Sequence, residues 1–97
     1  MPKAYWVICH RSTKSAEKFA AFTKLAYQAI QAAGGRFLVR TSKVAKTYEH
    51  GINVRTVVIE FENLAKATAA YETPDYKQAL RALADGAERD LRIVEGV

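Results

Sequence analysis

The fold of this chain is decided by one short stretch, GGRFLVR at residues 34–40, which joins a helix to a strand. Glycine adopts the left-handed backbone conformation that ends many helices, so the two glycines predict a helix C-terminus. The following residues alternate between the two faces of an extended strand, and one face receives Arg36, Leu38 and Arg40. Two arginines around a leucine raise the question of whether this face meets water, a nucleic acid or a pocket.

Both flanks of this stretch carry regular patterns. Before it, residues 11–35 repeat apolar side chains at three- and four-residue steps, which predicts a helix with one apolar face. Ser12, Thr13 or Ser15 is expected to cap its first turn. The segment before that helix, AYWVICH at residues 4–10, is short and rich in aromatic and β-branched residues, which is typical of a strand.

The second half of the chain repeats this layout. Its strongest strand is RTVVIEF at residues 55–61, and its last strand is DLRIVEG at residues 90–96. Between them, residues 62–87 have a helical pattern that Pro74 breaks into two pieces, since proline cannot donate the backbone hydrogen bond. A bend or bulge is expected near Ser42, where an exposed hairpin connection begins.

The resulting order is strand, helix, strand, strand, helix, strand. Two right-handed crossovers would place both helices on one face of a four-stranded antiparallel sheet. The sequence therefore predicts an α+β chain with a ferredoxin-like βαββαβ sandwich. Its length of 97 residues predicts a single domain over residues 1–97.

The composition predicts an ordinary globular protein of the cytoplasm. The N-terminus lacks the long apolar region of a signal peptide, and no apolar run approaches the ~20 residues that span a bilayer, so no membrane partner is expected. The net charge of +5 comes from basic residues that are spread along the chain. Cys9 is the single cysteine, which excludes an internal disulfide and favours a small core residue over a catalytic thiol.

One face of the predicted sheet has no helix to cover it. On this alternation the uncovered face carries residues of two neighbouring strands: Arg36, Leu38, Arg40, Thr56, Val58 and Glu60. Such a face could stack bases, pack against a second copy or meet water. The central strand lacks aromatic residues at the stacking positions, so no nucleic-acid partner is expected. We expect a homodimer through this sheet face, with Arg36 or Arg40 paired to Glu60 because buried charges need partners.

Several motifs resemble those of one small bacterial family. The stretches GGRFLVR, VVIEF and IVEG, with the block Tyr71, Thr73 and Tyr76, are similar over nearly the whole chain to the domain-of-unknown-function family DUF1330. That family resembles the dimeric α/β-barrel superfamily, which includes small monooxygenases, muconolactone-isomerase-like enzymes and haem-handling proteins. The resemblance implies a dimeric α/β barrel and leaves the reaction open. Members often carry Asp-Pro at the start of helix one, where this chain reads RSTKSAEKF, so no acidic role is carried over to that position.

The candidate catalytic residues are Glu60 and His10. Glu60 lies in the middle of the strongest strand, where it is either a general base or half of a structural ion pair. His10 lies at the end of the first strand, where it is either a general acid–base or a surface histidine. His50, beside a glycine turn, is expected to be exposed, and two histidines without matching carboxylates predict no metal site.

The candidate ligand-binding residues are arginines and aromatic residues: Arg36, Arg40, Arg55, Trp6, Tyr71 and Tyr76. A guanidinium offers a rigid fork of donors to a carboxylate or phosphate, although the same arginines would also serve as salt bridges in a dimer. The aromatic residues either line a pocket or fill the core. No phosphate-binding loop, dinucleotide loop or haem signature is present, so no cofactor is expected.

Two functions stay open at this point. The chain is either a small enzyme or binder that takes an anionic or aromatic metabolite, or a non-catalytic dimeric module with a binding or regulatory role. The sequence leaves undecided whether it is an enzyme at all.

Overall fold

The computed structural model describes residues 2–97, which form four strands and three helices. In chain order these elements are β1 (Ala4–Thr13), α1 (Ala16–Ala32), β2 (Arg36–Thr41), β3 (Thr56–Phe61), α2 (Leu64–Tyr71), α3 (Pro74–Leu83) and β4 (Ala87–Glu95).

The four strands form one sheet in the order β2-β3-β1-β4. Each neighbouring pair is antiparallel. The buried side chains of the two central strands pack with those of all three helices in one core cluster, so the helices cover a single face. This arrangement confirms the predicted ferredoxin-like sandwich. None of the helices in residues 2–97 is long and apolar enough to cross a membrane.

The helix ends follow from capping residues in the sequence. The Ser15 hydroxyl accepts a hydrogen bond from the backbone N–H of Lys18 at 3.1 Å and begins α1. Gly34 has a φ of +92°, the left-handed conformation that stops the helix and turns the chain towards β2. Thr73 caps α3 in the same way as Ser15 caps α1, since its hydroxyl accepts from the backbone N–H of Tyr76 at 3.2 Å.

The core is centred on Trp6 of β1, which has no exposed surface. Its ring lies 5.3 Å from the ring of Phe61, 5.9 Å from that of Tyr71 and 5.1 Å from that of Tyr76, between ring centroids. Its indole N–H donates a buried hydrogen bond to the carbonyl of Ala67 at 2.8 Å. Trp6 therefore fixes α2 and α3 to the middle of the sheet.

A β-bulge in β2 contradicts the predicted faces of that strand. Phe37 pairs with Ile59, but the next paired residue is Val39, opposite Val58, so Leu38 is the extra residue. An extra residue shifts the alternation by one, because side chains change face at each step along a strand. Arg36 and Arg40 therefore lie on opposite faces of the sheet. The bend predicted near Ser42 is present at that residue, and the bulge at Leu38 is additional to it.

Two element boundaries also differ from those predicted. The last strand begins at Ala87, three residues before the predicted Asp90. The last helix ends at Leu83, four residues before the end of the predicted helical segment at residue 87, because Ala84 adopts a φ of 48° and stops the helix. The earlier start of β4 brings Arg89 into the sheet.

Candidate functional site

A pocket lies between α1 and the helix-covered face of the sheet. Its floor is apolar and comes from Ile8, Val57 and Ile59, with side chains of α1 opposite them. Its walls are aromatic rings: Phe19, Phe22, Tyr27 and Phe37. The cavity volume is about 40 Å³, and one water needs at least ~10–15 Å³, so the pocket has room for a few water-sized groups before any side chain moves.

Three arginines from three different strands or strand ends converge on this pocket. Arg40 comes from β2, Arg55 immediately precedes β3, and Arg89 comes from β4. No acidic side chain is among the described residues that line the pocket. Within residues 2–97, none of the three guanidinium groups forms an ion pair with a carboxylate. The pocket therefore carries an uncompensated positive charge.

Aromatic rings hold two of these guanidinium groups in place. The Arg40 guanidinium carbon lies 4.6 Å from the centroid of the Tyr27 ring, and Tyr27 is itself stacked on Phe37 at 5.0 Å. The Arg89 guanidinium carbon lies 4.5 Å from the centroid of the Phe22 ring. Arg89 also donates a hydrogen bond to the Tyr76 hydroxyl at 3.1 Å. Cation–π contacts favour the charged arginine and restrict its movement, so these donors are partly preorganised.

The arginines also repel one another. Burial, followed by the positive charge of Arg40, lowers the pKa of Arg55 from its usual value. Arg55 donates a long hydrogen bond of 3.5 Å to the hydroxyl of Ser42, which does not neutralise it. A bound anion would relieve this repulsion, because it favours the charged form of each guanidinium.

His10 lines the same pocket and is buried, with 8% of its surface exposed. This placement contradicts the reading of His10 as a surface histidine, because β1 continues three residues beyond it to Thr13. Its ring meets the Phe19 ring edge-on at 5.0 Å, and its Nδ1 has no hydrogen-bond partner among residues 2–97. Burial, with smaller effects of Arg89 and Arg55, lowers the pKa of His10 from 6.5 to about 4. The imidazole is therefore neutral at pH 7 and has a lone pair that can accept a proton.

The residues predicted from sequence divide between the two faces of the sheet. His10, Arg40, Arg55 and Tyr76 meet at the pocket. Arg36 and Glu60 pair on the opposite face, where Arg36 Nη1 lies 4.0 Å from Glu60 Oε1.

The surroundings of Glu60 belong to that opposite face as well. The Tyr5 hydroxyl donates to Glu60 Oε2 at 3.4 Å, and 20% of the Glu60 side chain is exposed. Glu60 is therefore separated by the sheet from His10 and from the three pocket arginines. It cannot share a bound molecule in the pocket with them.

Neither Trp6 nor Tyr71 lines the pocket. Trp6 is enclosed in the core, and Tyr71 packs against it while the ammonium group of Lys77 lies 5.0 Å from the Tyr71 ring centroid. Of the predicted aromatic residues, Tyr76 alone lines the pocket, and its hydroxyl is held by Arg89.

Arg89 and Tyr27 are pocket residues that the sequence reasoning missed. Arg89 lies two residues before Leu91 and four before Ile93, so extending the alternation of the last strand backwards would have placed it on the helix side. Tyr27 lies on α1 directly after the buried Ala26, and its role depends on Arg40, which only the bulge brings to this side.

A second pocket, with a cavity volume of about 240 Å³, lies on the uncovered side of the sheet. It is lined by Cys9, His50 and Asp90, together with Arg11 and Arg92. Both of these arginines donate to Asp90 Oδ2, at 3.0 and 3.2 Å, so one carboxylate is shared by two guanidinium groups there. Residues 2–97 contain no group of three or more His, Cys, Asp or Glu side chains that could hold a metal ion.

Residues 3–97 match the sequence profile of a family described as "Domain of unknown function (DUF1330)". None of the curated proteins matches the chain.

Solved structures with the same fold come from several bacteria. A protein of unknown function from Rhodopseudomonas palustris superposes with a TM-score of 0.75 at 13% identity, covering 99% of this chain and 83% of the other. SnoaB, a cofactor-independent oxygenase from Streptomyces nogalater, has a TM-score of 0.61 at 14% identity, with coverage of 100% and 95%. A dimeric ferredoxin-like protein of unknown function from Thermobifida fusca has a TM-score of 0.57 at 13% identity, with coverage of 98% and 92%. At these identities the likeness shows the fold alone.

Proposed function

The chain belongs to the DUF1330 family, and we propose that its pocket binds a small organic anion with a flat apolar or aromatic body. The observation that carries this proposal is the convergence of Arg40, Arg55 and Arg89, without a carboxylate partner, on a pocket walled by aromatic rings. A carboxylate is the simplest anionic group for this site, since each guanidinium can donate two parallel hydrogen bonds to it.

The aromatic walls support the second half of the proposal. The rings of Phe19, Phe22 and Phe37 line the pocket, and a flat apolar group can pack against them once side chains move to enlarge the cavity of about 40 Å³. A mostly apolar pocket with a few convergent polar groups is the usual form of a small-molecule site. An inorganic anion would use the arginines but not the aromatic walls, so an arylacetate or a similar aromatic carboxylate is favoured.

The matched pair Arg40→Met and Arg36→Met tests this proposal, because the two arginines lie on one strand but on opposite faces. We expect Arg40→Met to weaken the binding of phenylacetate about 10- to 100-fold, since a hydrogen bond to a charged group contributes roughly 1.5–3 kcal/mol. Arg36→Met should change the affinity less than twofold, because the Arg36 side chain is 79% exposed and pairs with Glu60 on the other face. Isothermal titration calorimetry measures both.

Phenylacetamide is the matched control ligand because it keeps the shape of phenylacetate and removes the charge. It should bind much more weakly to the unchanged protein and lose little further affinity in Arg40→Met. Equal losses in Arg40→Met and Arg36→Met, or equal affinities for the acid and the amide, would contradict an anion site in this pocket.

We also propose that a second copy of the chain covers the other face of the sheet. That face carries apolar side chains beside the Arg36–Glu60 pair, and Leu38 and Val94 are 45% and 43% exposed on it. The relative from Thermobifida fusca with the same fold is described as dimeric. Two such faces packed together would bury the apolar groups and close the two sheets into a barrel.

The dimer is tested by the mass in solution. Light scattering at micromolar concentration should give twice the chain mass, and Val7→Glu should give the mass of one chain, because Val7 lies mid-face opposite Val58. Gln28→Glu is the control, since it adds the same charge at an exposed position of α1 and should leave the mass unchanged. A single-chain mass for the unchanged protein would show that the face is not a dimer interface.

A further inference from the structure

His10 is the one group in the pocket that is suited to moving a proton. The other titratable side chains of the pocket are Arg40, Arg55 and Arg89 from the sheet, Tyr27 from α1 and Tyr76 from α3. A phenol keeps its proton at neutral pH and so does not act as a base there. The arginines are cationic at neutral pH, and burial raises the pKa of Tyr76 above its usual value. His10 is therefore left as the base, and its enclosed Nδ1 has no hydrogen-bond partner among residues 2–97.

We propose, on the premise that the pocket binds an organic anion, that the ligand is a 2-oxo acid with an aromatic side chain and that His10 catalyses its keto–enol interconversion. A 2-oxo acid carries a carboxylate and an adjacent carbonyl oxygen, which together present acceptors to several guanidinium groups at once. Its third carbon bears acidic C–H bonds and the aromatic group, which would pack against the phenylalanine walls.

The step is a proton transfer and needs no further reactant. The neutral imidazole takes a proton from the carbon beside the carbonyl, the C–H electron pair forms the C=C bond, and the carbonyl oxygen becomes an enolate oxygen. The imidazolium then gives the proton to that oxygen, which forms the enol, or returns a proton to carbon, which restores the oxo acid. The protein ends each cycle unchanged.

The positive pocket favours this reaction because negative charge moves onto an oxygen near the arginines. Donors that are already in place when the charge develops stabilise such an oxyanion more than the substrate. The Tyr76 hydroxyl accepts a hydrogen bond from Arg89, which leaves its own proton free to be donated to the same oxygen.

A bound ligand would change the pKa of His10. Arg89 and Arg55 contribute to the low pKa of His10, after the larger effect of burial. A bound carboxylate offsets these positive charges, so it moves the pKa of His10 back towards neutrality, where a general base works best. An uncharged ketone of the same shape would not do this.

Hydrogen exchange of phenylpyruvate in D₂O tests the proposal. Proton NMR should show that the protein accelerates loss of the methylene signal, and His10→Asn should reduce that acceleration at least ~100-fold, because a positioned general base contributes about 10²–10⁴-fold. Phenylpyruvate affinity, measured by calorimetry, should change by less than fivefold in the same variant. The folded state is checked by circular dichroism, and His10→Gln replaces His10→Asn if the latter does not fold.

The outcomes separate this inference from the proposed anion site. Phenylpyruvate that binds without accelerated exchange overturns the catalytic role of His10 and leaves the anion site standing. Failure of both phenylpyruvate and phenylacetate to bind overturns both proposals. Saturating phenylacetate should stop the exchange in the unchanged protein, and exchange that persists would place the reaction outside the pocket, which also overturns the inference.

Discussion

Replacing Trp6 with alanine is expected to lower the free energy of unfolding by about 3–5 kcal/mol, the usual cost of removing a large buried aromatic side chain. Trp6 has no exposed surface and contacts three other aromatic rings. The change would also leave the buried carbonyl of Ala67 without its 2.8 Å hydrogen bond, which adds to the loss. Since domains of this size are stable by roughly 5–15 kcal/mol, the variant should lose a large fraction of its free energy of unfolding.

Urea denaturation followed by circular dichroism measures this effect, because the substitution removes the only tryptophan of the chain. Trp6→Phe is the informative companion, since it keeps a ring in the core and should cost clearly less than Trp6→Ala. The folded Trp6→Phe protein should bind phenylacetate as the unchanged protein does, because Trp6 does not line the pocket. A large change in the affinity for phenylacetate would show that Trp6 does contribute to the pocket. A loss of less than 1 kcal/mol in the free energy of unfolding of Trp6→Ala would contradict the central place of Trp6 in the core.

The order of elements could be predicted from the sequence because each element has a local signal. Ser15 and Gly34 mark the two ends of α1, Thr73 begins α3, and the alternation of residues 55–61 indicates a central strand. These signals depend only on neighbouring residues, so they can be recognised without knowledge of the rest of the fold. The ferredoxin-like topology then follows from the rules for crossovers.

The site could be predicted only in part, because its composition depends on a long-range event. Leu38 is an apolar residue among others, and nothing in GGRFLVR indicates that it has no pairing partner on β3. The bulge there moves Arg40 to the pocket and leaves Arg36 with Glu60 on the other face. A regular alternation put the two arginines together, so the hypothesis of a joint Arg36, Arg40 and Glu60 site was wrong in its geometry.

The surroundings of His10 also depend on long-range pairing that the sequence does not reveal. Its position near the end of an apolar run predicted a strand terminus, but the polar residues after it, up to Thr13, continue the strand through pairing with β4. Burial and the charge of Arg89 follow from that pairing, and they decide the protonation state of the ring. The sequence shows that residue 10 is a histidine, but it does not show the protonation state of its ring.

Lowering the pH from 7 to 4 is expected to destabilise the ligand-free protein through His10. The pKa of His10 is about 4 in the folded chain against 6.5 for an ordinary histidine, so between these values the unfolded chain binds a proton that the native protein does not. The His10 contribution is therefore fully present above pH 6.5 and is lost as the pH falls towards 4. At 1.36 kcal/mol per unit of pKa difference, the loss is on the order of 2–3 kcal/mol.

Comparison with His10→Gln isolates this contribution, because carboxylates also titrate near the lower end of the range. The pKa values of Glu62 and Asp85 are lowered by hydrogen bonds from lysines, so they too remove stability when they are protonated. Their effect is common to both proteins, so the unfolding free energy of the wild type relative to that of His10→Gln should fall steadily from pH 6.5 to pH 4.

Saturating phenylacetate should raise the pH range over which His10 takes up its proton. If the anion offsets the charges of Arg55 and Arg89, the pKa of His10 rises in the complex, and proton NMR of the ring should show the titration midpoint move from about 4 towards 6.5. By linkage, the affinity for phenylacetate must then increase as the pH falls through the same interval. A titration midpoint near 6.5 in the ligand-free protein would contradict the buried position of His10 beside the arginines. A midpoint that does not change when phenylacetate binds would show that the bound anion does not lie close to His10.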